Sequence, residues 1–281
     1  MAFQEDTKEK FIKLIQAGTA PWLQSKQPGE ITPPVNPASK HQFSGFNLIQ
    51  LAAENRPDNR WCTFIQCRDN GWKVKQGAKS VLIAFKQYGQ KKSFRYVRVF
   101  NAADIEGLPA GEKQEINETR TIVVSEALLQ QHPGFEYNKD DAGKFNTLTE
   151  YYSDLFTRFS YWAAEKYMQE VYAAGSTKAQ TGEAALKEQA KQEMLAAMTN
   201  YMVAAELGLG FKANPAFKQA TAGLLENSPR ELFRACHLAG QIKEFMVRGG
   251  DAFLQQKRAR RQQFKQVRTP ARQQAAAGLG Y

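Results

Sequence analysis

Residues 155–167 read LFTRFSYWAAEKY, and their spacing sets the character of the second half of the chain. With the residues just upstream, Leu148, Tyr152, Leu155, Phe159 and Trp162 recur every three or four positions, the period of one helical face. Thr147-x-x-Glu150 stands at the start of this run. A hydroxyl there can accept from the amide three residues on while the carboxylate reaches back, which is the capping box of a helix N-terminus. The middle of the helix carries Thr157, Arg158, Phe159, Ser160 and Tyr161, with no histidine and no acid among them. Whether such a helix only packs, or descends from one that did chemistry, decides whether this protein is an enzyme.

Downstream the pattern stays helical. A second helix is expected over about 183–207, ending at Gly208, a third from near Asn214 to Leu225, and a fourth after Ser228-Pro229 through Phe245. Upstream it changes. Residues 3–16 form a short amphipathic helix, residues 20–47 are rich in Pro, Gly and Ser and read as loop, and FNLIQLAAENR resumes a helix that breaks at Arg56-Pro57. From Trp61 the pattern suggests strands: WCTFIQC, a hairpin turn at Asn70-Gly71, WKVK, then SVLIAFKQY and SFRYVRVFN. Residues 105–146 read as a loose connection with one short apolar strand, TRTIVVS. The fold class is therefore α+β. A sheet-containing domain of about four strands spans 1–110, a connection 111–146, a helical domain 147–250 and a basic tail 251–281.

Charge follows this division. Of the 38 Lys/Arg and 28 Asp/Glu, residues 1–110 hold 16 against 9, residues 111–251 hold 15 against 19, and residues 252–281 hold 7 against none. The positive field sits on the first domain and the tail, which suits a polyanion-binding head on a scaffold that polyanions do not attract. A DNA-mimicking inhibitor would carry the opposite sign. No apolar run approaches the ~20 residues of a membrane span, and MAFQEDTKEK is no secretory signal, so a cytoplasmic, membrane-free protein is expected. Cys62, Cys67 and Cys236 lack C-x-x-C spacing and an even count, which points to reduced thiols.

Residues that carry chemistry are sparse. His41, His132 and His237 lie in separate segments with no second ligand at metal-site spacing, and neither a phosphate-binding loop nor a nucleophile elbow is present. Aromatics and bases interleave instead between 61 and 100: Trp61, Trp72, Lys73, Lys75, Lys79, Lys86, Phe94, Arg95, Tyr96 and Arg98. Alternation along a strand puts Phe94, Tyr96 and Arg98 on one face. A sheet face of aromatics flanked by cations is a platform on which unpaired bases stack while phosphates are neutralised. Lys257, Arg258, Arg260 and Arg261 in the tail would add nonspecific affinity.

Several blocks, in order and at their spacing, resemble the ArdC-type antirestriction proteins, a family also found fused in TraC primases. They are APW at 20–22, PVN at 34–36, FSGFNLIQL at 43–51, RWCTFIQCRDNGWKVKQGAKSVLIAF at 60–85 and VFNAADIEGLP at 99–109. In the second half, KQEMLAAMTNYMVAAELGLG at 191–210 and NSPRELFRACHLAGQIKEFM at 227–246 are similar to later helices of the same family. The resemblance implies an N-terminal domain that binds single-stranded DNA and a zincin-like metallopeptidase domain behind it. The family's zinc helix has the pattern F-H-E-L-x-H-W, and the same register here reads Phe156 to Trp162. Both histidine positions fall on Thr157 and Tyr161, and the general-base position on Arg158. In the second acidic helix E-E-L-V-A-E becomes Gln192 to Ala197, where Ala197 replaces the last carboxylate and Glu193 keeps one.

A zincin needs two imidazoles at i and i+4 and a carboxylate beside them. Threonine and tyrosine are poor zinc ligands, and arginine sets a fixed positive charge where the base should stand. The expectation is a pseudo-peptidase with no metal and no cofactor. It would be a non-catalytic single-stranded-DNA-binding protein of a plasmid or phage that protects entering DNA, with a helical domain free to serve a protein partner. One rival is a peptidase with a rebuilt site in which His132 or His237 meets Glu193. The other is a structural or inhibitory protein that acts through protein contacts.

Overall fold

The computed structural model describes residues 2–87, 93–111, 118–138, 143–172, 182–228 and 230–247. Its central element is α6 (Glu183–Leu207), which packs against α5 (Leu148–Tyr172), α7 (Lys218–Asn227) and α8 (Arg230–Val247). From Met194 to Leu207 nearly every side chain of α6 is buried, since neighbours cover it on several sides. Its end at Leu207 agrees with the sequence, and Gly210 follows where the chain runs back against Lys26–Pro28. A Cβ at Gly210 would lie 2.5 Å from the Lys26 carbonyl oxygen, so only glycine permits the bridge between Lys26 and Phe211.

On α5, Tyr151, Leu155, Phe156, Phe159, Ala163 and Tyr167 form the buried stripe. Leu148, expected in that stripe, is 59% exposed because it sits in the first turn, before the helix meets its neighbours. The amide of Glu150 donates to the Thr147 hydroxyl at 3.1 Å, and the Glu150 carboxylate accepts from the Asn146 amide at 3.0 Å. The cap is therefore as expected, closed one residue further out.

Three expectations fail upstream of α5. TRTIVVS is not a strand: it lies in α4 (Glu118–Gln131). The β-branched run favours a strand by propensity, yet Thr121, Ser125 and Leu128 are all buried at helical spacing, and packing decides. WCTFIQC likewise stops being a strand after β1 (Trp61–Thr63). Thr63 caps α3 (Phe64–Asp69), its hydroxyl accepting from the Gln66 amide at 3.1 Å while the Gln66 side chain accepts from the Thr63 amide at 3.0 Å. Asn70-Gly71 then closes the helix instead of forming a hairpin. Gly71 has φ +73°, and the Trp72 amide donates back to the Cys67 carbonyl.

The sheet is accordingly smaller than the four strands expected. β4 (Ser93–Asn101) lies between β1 and β3 (Val81–Gln87), antiparallel to both, while β2 (Lys73–Val74) pairs with β5 (Ile105–Glu106) in a separate two-stranded ribbon. One side of the sheet rests on a small core of Phe43, Leu51, Trp61, Ile83 and Val99, and a second cluster of Cys62, Cys67 and Ile105 lies under α3. All three cysteines are free and buried, and Cys62 and Cys67 bring their Sγ atoms to 3.0 Å.

α1 (Ala2–Gln16) and α2 (Gly45–Ala52) do not belong to the sheet's own cores alone. Phe11, Ile15, Leu48 and Ile49 join the large core of α5–α8, with α1 against α7 and α2 against α8. Helices grouped with the sheet by their place in the chain thus tie it to the helical half. No described helix is long and apolar enough to cross a membrane.

Candidate nucleic-acid interface

The pairing of β3 with β4 fixes which side chains share a face. Lys86 lies opposite Phe94, Ala84 opposite Tyr96 and Leu82 opposite Arg98, so Leu82, Ala84, Phe94, Tyr96 and Arg98 point to one side. The other side carries Val81, Ile83, Val97 and Val99 and is sealed by the core beneath. Phe94 is 61% and Tyr96 42% exposed, and Arg98 reaches Ser80 Oγ at 3.3 Å while remaining open to solvent. Arg95 is exposed on the opposite side, at the outer end where the core no longer covers the strand. Lys73, Lys75 and Lys79 are exposed nearby in sequence, and Lys75 Nζ donates to the Ala103 carbonyl at 3.0 Å.

The structure removes one candidate. Trp61 is 2% exposed among Phe43, Leu51, Ile83 and Val99, so its ring fills the core and cannot stack on a base. Trp72 is half-buried and flanks the Cys62–Cys67 cluster rather than the Phe94–Tyr96 face. The side chain of Lys86, and Lys257, Arg258, Arg260 and Arg261, lie outside the described residues.

Sequence reasoning missed what supports the platform. Phe3 packs on Tyr96 with ring centroids 4.7 Å apart, and Phe46 links Phe3 to Phe233 of α8. At the free edge of β3 the Asn47 side chain takes the place of a strand. It accepts from the Ala84 amide and donates to the Ala84 carbonyl, both at 2.9 Å. Nothing in local sequence marks Phe3 or Asn47, because both act across more than 35 residues.

Thr157, Arg158 and Tyr161, the positions that the resemblance matches to a zinc helix, make other bonds. Thr157 donates to the Ser153 carbonyl at 2.7 Å, and Asn200 of α6 donates to Thr157 Oγ1 at 3.1 Å. Arg158, 60% exposed, pairs with Asp154 at 2.8 Å and lies over the Tyr137 ring at 5.6 Å. Tyr161 hydrogen-bonds with Glu193, and both engage Asn214. Burial, with the Glu193 charge beside it, pushes the Tyr161 phenol up to about 12, so the hydroxyl stays protonated at neutral pH. Burial also lifts the Glu193 carboxyl, against the pull of these two hydrogen bonds. Ala197 is half-buried and offers no donor atom.

A cleft of ≈ 370 Å³ between α5 and α6 opens beside Tyr161, Trp162 and Glu193. The rebuilt site is not assembled there. His132 is buried against the rings of Phe159, Trp162 and Phe245, and His237 pairs with Gln241 at 2.8 Å. Among the described residues no group of three or more His, Cys, Asp or Glu side chains could hold a metal ion.

Residues 2–126 match the model of the N-terminal domain of the anti-restriction factor ArdC. Two DNA primases TraC of Escherichia coli are each 24% identical to the chain, over 319 and 292 aligned residues. These alignments take in 96% and 87% of this chain but 29% and 20% of the primases, so the chain spans less than a third of their length. The Mn(II)-bound crystal structure of the antirestriction ArdC protein from plasmid R388 superposes with a TM-score of 0.65 at 20% identity, covering 88% of this chain and 98% of that one. The metal-free form gives 0.63 at 20% identity, covering 88% and 97%. The shared fold thus extends through both halves. Thr157, Arg158 and Tyr161 are poorly suited to hold a metal ion. A neutral phenol, a hydroxyl already committed to a carbonyl and an amide, and a guanidinium supply no anionic or imidazole ligand.

Proposed function

With an ArdC-type N-terminal domain over residues 2–126 as premise, we propose that this chain is an antirestriction-type protein of a mobile element that binds single-stranded DNA in the bacterial cytoplasm and has no peptidase activity. The observation that carries the binding is the open face of β3 and β4, where Phe94 and Tyr96 stand exposed with Arg98 in line. A flat apolar ring beside a cation suits an unpaired base and its phosphate, whereas a duplex keeps its bases stacked within itself. The loss of peptidase activity is read from Thr157, Arg158 and Tyr161, whose polar atoms tie α5 to α6 and to Asp154.

The test is a titration of fluorescent single- and double-stranded oligonucleotides of equal length at two salt concentrations. Single strands should bind more tightly, with log affinity falling against log salt by about 0.7 per phosphate neutralised. Phe94→Ala and Tyr96→Ala should each cost ~1–3 kcal/mol of binding with little change in slope, while Arg98→Ala should flatten the slope. Equal affinity for both forms, or aromatic variants that bind like the parent, would refute the interface. Cleavage of a casein-like substrate, or about one metal ion per purified chain, would refute the pseudo-peptidase half.

A further inference from the structure

A second aromatic site lies off the sheet face. A cleft of ≈ 320 Å³ opens beside Trp72, walled by Pro33, Pro37 and Pro109. Among the described residues the charged side chains of its lining are Lys40 and Arg60, both cationic. We propose that this cleft takes one unstacked nucleobase, seated against the Trp72 indole, with the adjoining phosphate on Lys40. The inference rests on the single-stranded-DNA reading and adds a base-binding pocket to it.

Three observations carry it. The walls are fixed in advance. Asn59 Nδ2 donates to the Pro33 carbonyl at 2.8 Å, and the Val35 and Trp61 amides pair with Asn59 and Val35. Arg60 Nη1 donates to the Pro109 carbonyl at 2.6 Å, while its Nε and Nη2 engage Asp58. Arg60 is thereby neutralised and serves as a strut for the 108–111 wall, and Lys40 is left exposed as the cation for a phosphate. A site with rigid proline walls loses little freedom on binding.

Size and chemistry come next. The volume lies at the low end of the ~300–1,000 Å³ of small-ligand sites, which suits one base and its sugar rather than a stack. A mostly apolar lining with the Trp72 indole and the exposed Lys40 matches a flat ring carrying a phosphate, and it suits neither a metal ion nor an inorganic anion alone.

The third is continuity. Phe94, Tyr96, Arg98 and Phe100 alternate along one face of β4, and Phe100 flanks the same Cys62–Cys67 cluster that Trp72 flanks. From Phe94 to Phe100 is about 20 Å at ~3.3 Å per residue. A strand stacked on the platform therefore leads along that face toward the cleft.

The probes are thymidine 5′-monophosphate, thymidine and inorganic phosphate, added to the full chain while the indole N–H signals are followed by NMR. The Trp72 signal is assigned by its loss in Trp72→Phe. The nucleotide should move it, thymidine should move it less, and phosphate should leave it in place. No response to the nucleotide, or an equal response to phosphate, would overturn the proposal. With a 15-residue oligothymidylate, Trp72→Ala should weaken binding about 5- to 150-fold and Trp72→Phe should restore most of it. Lys40→Glu, an exposed change that leaves the fold alone, should weaken binding and flatten the salt slope by about 0.7 or more. If Trp72→Phe, Trp72→Ala and Lys40→Glu bind like the parent while Phe94→Ala and Tyr96→Ala do not, the cleft is wrong and the platform stands. If the parent chain binds no oligonucleotide, the interface reading fails, and the nucleotide response of Trp72 alone decides the cleft.

Discussion

Thr157→Val asks whether the Thr157 hydroxyl is a structural tie between α5 and α6. Valine matches threonine in shape and removes only the hydroxyl. That hydroxyl donates to the Ser153 carbonyl at 2.7 Å and accepts from Asn200 Nδ2 at 3.1 Å. The Ser153 carbonyl belongs to a helical turn and keeps its backbone partner, so little is lost there. Asn200 is 2% exposed, and stripping a buried amide of its partner costs its desolvation, about 1–3 kcal/mol. At ~2–4 °C per kcal/mol for a domain of 150–250 residues, Tm should fall by roughly 2–12 °C. The assay is thermal unfolding by circular dichroism, run as a double-mutant cycle with Asn200→Leu. The double variant buries an apolar pair, so its loss should be smaller than the sum of the two single losses by about 1 kcal/mol or more. Additive losses, or a Thr157→Val shift under 1 °C, would refute the tie. So would a wild-type Tm raised several degrees by Mn(II) or Zn(II), since an ion that binds only the folded chain stabilises it by mass action.

Three further outcomes are expected. Burial raises the Glu193 carboxyl above its ordinary value, so the folded chain holds a proton that the unfolded chain has released, and stability falls as pH rises through that interval. Glu193→Gln should therefore raise Tm at pH 7.5 relative to the parent, with the gain vanishing below the ordinary carboxyl range; an equal gain at both pH values contradicts the assignment. Asn47→Ala removes two hydrogen bonds to Ala84 and should cost about 2 kcal/mol, with faster hydrogen exchange at the Ala84 amide; an unchanged Ala84 exchange rate would show that the edge of β3 is held otherwise. Deleting residues 257–281 removes seven cationic side chains, so the salt slope should flatten by up to about 5, at about 0.7 each, while the preference for single strands persists. Loss of that preference would make the tail the DNA-binding element.

What the sequence determined by itself was everything with a short range. The 3.6-residue period and the caps placed the start of α5 and nearly the whole span of α6 and α8, with Gly208 and Ser228 as limits, because periodicity and capping are local properties. Alternation put Phe94, Tyr96 and Arg98 on one face of β4, and the stretch Phe156–Trp162 shows in the sequence itself that no histidine or acid stands in the middle of α5. The tertiary structure decided the rest. TRTIVVS became helix because its buried positions face the helical bundle, an energy that strand propensity does not contain. WCTFIQC broke at Thr63 because a T-x-x-Q cap outbid continued alternation, a signal present in the sequence but hidden beneath apolar residues. The packing that leaves Tyr96 open against Phe3 and sets Asn200 against Thr157 joins residues 93 and 43 positions apart, and the core that buries Trp61 gathers residues from Phe43 to Val99. Such contacts depend on how whole elements stack, and one chain read along its length holds no local trace of them.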